Sequence, residues 1–168
     1  MTASHDAETF VIIRVFNAPR QRVWDAWTRP EQLGRWFGPK GTVTTAKTFD
    51  LRPGGMLHSF MDMPDGGRMW AKFVYREVEP ISRLAWAHSF SDEHANVVRA
   101  PFFDGKWPLE LLTVVTFEEE GAGTRLTLTW TPLNASEIER KTFAENMGSM
   151  NQGWSGSFDE LDAFLAEG

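Results

Sequence analysis

The 168-residue chain, 42% hydrophobic and 24% charged, has room for one domain with a real core and not for two comfortable ones. Its net charge of −6 argues against nucleic acid, whose phosphates attract basic surfaces. The absence of cysteine removes disulfides, thiolate catalysis and cysteine-ligated metal together.

In chain order, "ETFVIIRVFNAP" alternates Val11, Ile13 and Val15 against Phe10, Ile12 and Arg14, which predicts a first strand. Pro19 is well placed near a helix start, and "PRQRVWDAWT" has Val23, Trp24 and Trp27 at helical spacing. "PEQLGRWFGP" is a second short helix led by Pro30, so the pair forms a tight elbow. From Thr42 the period changes to two. "TVTTAKTFDL", "MLHSFMDM", "MWAKFVYREVE" and "RLAWAHSF" are strands separated by Pro and Gly turns, an antiparallel meander. After the irregular "HANVVRAPFFDGKWP" come "LELLTVVTFEEE" and "TRLTLTWTP", with Glu119 to Thr124 as their hairpin loop and Gly121 and Gly123 supplying turn conformations.

The last segment opens with Asn134 or Ser136 as N-cap, and Ser136 with Glu139 is a capping-box pattern. Phe143, Met147, Met150, Trp154, Phe158, Leu161 and Leu165 then form an apolar stripe of about six turns. Gly148, Gly153 and Gly156 interrupt that helix, each weakening it by roughly 1 kcal/mol relative to alanine. They are expected to leave room or flexibility beside the Met–Trp stripe; the alternative is a break near Asn151-Gln152-Gly153. No repeat or linker divides the chain, so a single domain spanning 1–168 with an ordered core of about 8–166 is expected. The long helix is the one element able to cover the sheet's apolar face.

Six segments occurring in order carry a resemblance: "NAPRQRVWDAWTRPEQLGRWFGP", "LRPGG", "MPDGG", "YREVEPISRLAW", "TRLTLTW" and "GWSGSFDELDAFL". The chain resembles the activator of heat-shock-protein-90 ATPase homologue type of the START/Bet v1-like (SRPBCC) superfamily, over roughly Phe10 to Leu165. The resemblance implies an α+β helix-grip fold. In it a curved seven-stranded antiparallel sheet wraps around a long C-terminal helix, with two short helices after strand 1. Relatives often keep a hydrophobic cavity between sheet and helix. Co-chaperone members carry a further N-terminal domain not seen in this sequence, so activation of a heat-shock ATPase is not expected.

Eight Trp and thirteen Phe beside one Tyr suit a protein that lines a space with ring faces. Met147 and Met150 are adaptable thioethers on the stripe that carries Trp154 and Phe158. On the strands, alternation groups Leu84, Trp86 and His88, then Leu126, Leu128 and Trp130, then Phe73 and Tyr75, as concave faces. Trp107 and Phe103 in the irregular insertion are expected to form a lid, and Trp36 with Phe37 an entrance. Plain core packing is the other reading of all these side chains. His88 is the polar candidate, to orient a ligand or act as an acid–base group near neutral pH, or to sit satisfied in the core.

No H-E-x-x-H, G-x-S-x-G or phosphate-cradling glycine loop occurs, and four scattered histidines have no metal-ligand spacing. No cofactor and no metal are expected. The leading expectation is a module that binds a small hydrophobic or aromatic molecule. The alternatives are a cyclase- or hydrolase-type enzyme using His88 in the same cavity, or a chaperone-related protein-interaction domain docking through Phe102, Phe103 and Trp107. The sequence is compatible with a homodimer. With no apolar run of spanning length and no signal-peptide regions in "MTASHDAETF", a cytoplasmic protein without a membrane span is expected.

Overall fold

The computed structural model describes residues 9–38 and 41–167. Strand β1 (Phe10–Phe16) buries Phe10, Ile12 and Phe16 and leaves Val11, Ile13 and Val15 exposed, as two-residue alternation requires of an element covered on one side. Pro19 ends it and stands at the N-cap of helix α1 (Arg20–Thr28). Helix α2 (Pro30–Trp36) begins on Pro30, whose missing N–H is harmless in a first turn. Together the two helices bury Val23, Trp24, Trp27, Leu33 and Trp36.

The meander follows as β2 (Val43–Phe49), β3 (Met56–Asp62), β4 (Arg68–Glu79) and β5 (Arg83–Ser91), then β7 (Glu110–Glu120) and β8 (Gly123–Leu133). All neighbours are antiparallel in the order β1-β8-β7-β5-β4-β3-β2. This is the expected seven-strand path, and it carries one addition. Within the irregular insertion, Val97–Val98 form a two-residue strand β6 that pairs with the end of β5. Register shifts in β2 between Ala46 and Thr48, and in β4 between Tyr75 and Glu77, are places where an extra residue bends a strand and curls the sheet. The β7–β8 loop is shorter than the sequence suggests. Only Gly121-Ala122 separate the strands, with Gly121 at φ +59°, while Gly123 is already paired with Glu120. A Cβ on Gly123 would lie 2.5 Å from the Phe16 carbonyl oxygen, so this glycine serves close backbone approach.

The final segment is two helices. Ser136 caps α3 (Glu137–Ala144) by accepting from the Glu139 N–H, and the Glu139 carboxylate accepts from the Ser136 N–H in return. The chain then breaks at Glu145-Asn146 and restarts as α4 (Met147–Ala166). The break lies elsewhere than Asn151–Gly153, and all three glycines are inside one continuous α4. Asn146 explains the position. Its Nδ2 donates to the Thr142 carbonyl at 2.7 Å, a side-chain bond that competes with helix continuation. Helix α4 crosses the concave face and buries Met150, Trp154, Phe158, Leu161, Phe164 and Leu165. Arg14 on β1 donates to Asp159 at 2.8 Å and to Asp162 at 3.0 Å. The mixed α+β architecture is the helix-grip fold.

Candidate functional site

One half of the concave side is filled and the other is hollow. In the filled half, Trp27 lies 4.7 Å from Trp36 and 6.0 Å from Trp86 between ring centroids. Phe73 stacks on Trp86 at 4.6 Å and 14°. Beyond Trp154 a pocket of about 460 Å³ opens between β3–β5, Trp130 of β8, α4, the Phe37-Gly38 elbow and the insertion. That volume is in the range of small-molecule sites.

Its floor is Trp154, 5.4 Å from Trp130 and 5.8 Å from Phe37. Its roof is the insertion. There Trp107 stacks on Phe103 at 5.2 Å, and Phe102 meets Phe90 at 5.5 Å. Met61, Met63 and Met69, around the β3–β4 turn, face Met150 of α4 across the same space. Among the described residues no Asp, Glu, Lys or Arg lines it.

The insertion is tied to α3 at two points. Arg99 donates to the Trp107 carbonyl at 3.1 Å and to the Glu139 carboxylate, and Trp107 lies 5.6 Å from Phe143. Burial works to raise the Glu139 carboxyl. The Ser136 N–H and the Arg99 guanidinium outweigh it and hold the group below its usual range. One carboxylate therefore caps a helix and fastens the roof.

Among the described residues, His88 is the titratable group of the pocket wall. Its register partners are Phe73 on β4 and Leu111 on β7, and its ring lies 4.9 Å from Phe73 and 5.5 Å from Trp130. Desolvation among these groups lowers its pKa to about 4. The unfolded chain protonates this histidine below about pH 6.5, so between that value and about 4 it binds more protons than the folded one. Stability present above about pH 6.5 is lost as the pH falls through this window. In urea titrations from about pH 7 to pH 5, His88→Phe is expected to show a shallower loss of stability than the parent. The other histidines are common to both proteins and cancel, so equal slopes would contradict the assignment.

Of the side chains singled out from sequence, His88, Trp107, Trp130, Met150 and Trp154 line the pocket, as do the lid residue Phe103 and the entrance residue Phe37. Trp36, Phe73, Tyr75, Trp86 and Phe158, expected to line the cavity, are packed within the filled half instead. Trp36 is held there by its Nε1–H, which donates to the Ala26 carbonyl at 2.9 Å, and burial pushes the Tyr75 phenol well above its ordinary pKa. Met147 packs against the core rather than the pocket. His58, whose face alternation alone leaves open, is on the opposite side of the sheet. It is bonded through Nε2 to the Asp92 carbonyl at 3.0 Å and stacked on Trp70 at 4.7 Å. Sequence reasoning passed over Met61, Met63 and Met69. Their signal was present in "MDMPDGGRMW", three methionines crowded onto a turn that alternation would leave in solvent.

Among the described residues no His, Asp or Glu cluster could hold a metal ion, and no helix is long and apolar enough to cross a membrane.

Solved structures with this fold include the protein Ms6760 of Mycobacterium smegmatis, 32% identical, with 96% of this chain and 92% of that one covered and a TM-score of 0.76. A protein of Arthrobacter aurescens is 29% identical over 97% of this chain and 88% of that one, with a TM-score of 0.79. No curated protein matches the chain at a significant level. The family model described as activator of Hsp90 ATPase homolog 1-like protein matches residues 17–166, nearly every element described above. The chain belongs to that family.

Proposed function

We propose that this protein is a cytoplasmic single-domain binding module that holds a small hydrophobic or aromatic molecule in the pocket between the sheet and α4. The observation that carries this reading is the wall itself: aromatic rings, four methionines and, among the described residues, no charged side chain. An apolar space with a few placed polar groups is the usual form of a small-molecule site, and thioethers adapt to varied shapes. Phe102 and Phe103, 41% and 37% exposed, belong to the same wall, so a guest accounts for them without a protein partner.

Acid–base catalysis at neutral pH gains no support from His88, whose pKa of about 4 is far from the operating range of a general acid or base. The test is a panel of hydrophobic and aromatic compounds followed by tryptophan fluorescence and melting temperature. Saturable quenching with a raised melting temperature is expected, equivalent to about 2.7 kcal/mol of stabilisation at a hundredfold excess over Kd. Met150→Trp, which fills the pocket, is expected to reduce both. No response across a broad panel would overturn the reading and direct the search to protein partners.

A further inference from the structure

Resting on the pocket reading above, we infer that the guest is an uncharged ring compound carrying a neutral oxygen or nitrogen acceptor, which takes a hydrogen bond from Nε2–H of His88.

The charge of the guest follows from the wall. Among the described residues no Lys, Arg, Asp or Glu lines the pocket, so a bound carboxylate or ammonium would give up its hydration with no counterion there to replace it. His88 does not supply one, because the burial that lowers its pKa keeps it neutral at physiological pH.

The directed contact to His88 follows from the tautomer. Trp86 Nε1 lies 3.4 Å from His88 Nδ1. An indole nitrogen is a donor only, so Nδ1 is the acceptor and the neutral imidazole carries its hydrogen on Nε2. Among the described residues Nε2 has no partner. Four other polar groups of the wall are spent on the protein. Thr44 Oγ1 donates to the Phe37 carbonyl at 3.0 Å and Ser157 Oγ to the Gly38 carbonyl at 3.3 Å. Trp130 Nε1 donates to Thr113 Oγ1 at 2.7 Å, and Asn146 Nδ2 to the Thr142 carbonyl. Ser89 Oγ is buried without a partner, but Ser89 alternates with His88 and belongs to the sheet's other face. The hydroxyls of Ser59 and Ser149 can donate or accept, so neither selects for an acceptor. His88 alone does. Trp154, Trp130, Trp107, Phe90 and Phe103 around it offer flat apolar faces to the remainder of the guest.

Three probes of one shape test this at neutral pH: 2-acetylnaphthalene, 2-ethylnaphthalene and 2-naphthoate. The ketone is expected to bind about 3- to 10-fold more tightly than the ethyl compound, the contribution of one neutral hydrogen bond. The ionised naphthoate is expected to bind at least about 100-fold more weakly than the ketone. In His88→Phe the preference for ketone over ethyl is expected to vanish, the two compounds then binding equally. Infrared spectroscopy of the ketone bound to the unaltered protein adds a readout that needs no variant: its carbonyl band is expected at lower frequency than in cyclohexane. Equal affinities for ketone and ethyl compound, naphthoate binding as well as the ketone, or an unshifted carbonyl band would each overturn the inference while leaving the pocket reading standing. If none of the three binds, the pocket reading itself fails and this inference with it.

Discussion

Replacing Trp27 with alanine is expected to lower the free energy of unfolding by about 3–5 kcal/mol, the range for emptying a large aromatic site in a core. Trp27 is 2% exposed and joins every layer of the molecule. From α1 its ring reaches Trp36 of the elbow, Trp86 and Phe117 of the sheet, and Trp154 and Phe158 of α4, all within 6.4 Å between centroids. No other element can move into the vacated volume without breaking one of those pairs. Trp27→Phe is expected to cost less than half as much. It keeps an aromatic ring and also removes Nε1–H, which is buried without an acceptor and carries an unrecovered desolvation cost. Urea unfolding measures both, with the midpoint falling and the slope unchanged if only stability is altered. A loss below about 1 kcal/mol for the alanine variant would mean that α1 is not packed between sheet and α4 as described.

Gly153→Leu is expected to make the protein more stable and less able to bind. Gly153 lies inside α4 and on the pocket wall, and a Cβ placed on it meets nothing within 4 Å. Leucine there should gain about 1 kcal/mol of helix propensity, or about 2–4 °C in melting temperature for a chain of this size. A helical side chain leans toward the N-terminus, so the leucine would lie over Ser149 and Met150, within the space left for a guest. Binding of a neutral aromatic probe is expected to fall by a factor of about 10 or more, as overpacking of a filled site costs about 1–3 kcal/mol. Gly148 and Gly156 also have open space around them but do not line the pocket. Gly148→Ala and Gly156→Ala should therefore stabilise without changing affinity. Equal binding by Gly153→Leu and the parent would show that this glycine is not kept for the guest.

Much of the fold was legible because periodicity reports which face of an element is covered. The alternation of Leu84, Trp86 and His88, and of Leu126, Leu128 and Trp130, put those residues on the concave side where they lie. Ser136 and Glu139 form the reciprocal cap their spacing announces. The break at Glu145-Asn146 was not legible because the stripe steps evenly from Phe143 to Met147 across it. Only the Asn146 bond to the Thr142 carbonyl marks the interruption. Val97–Val98 are too few to show an alternation. In the site, alternation specifies a face and not a depth. Phe73, Tyr75 and Trp86 share the side of His88, yet Phe73 and Trp86 stack on each other and fill the volume there. The pocket lies farther along, where the β3–β4 turn, the insertion and α4 meet. Met61, Met63 and Met69 reach it through that tertiary arrangement, which no local pattern records.

The most direct measurement is an NMR titration of protein labelled at the methionine methyl groups with 2-acetylnaphthalene. Met61, Met63, Met69 and Met150 line the pocket, whereas Met56 and Met147 lie outside it. The account expects the first four resonances to shift together and saturate, and the other two to stay in place. Four unmoved resonances, or shifts centred on Met56 and Met147, would contradict it.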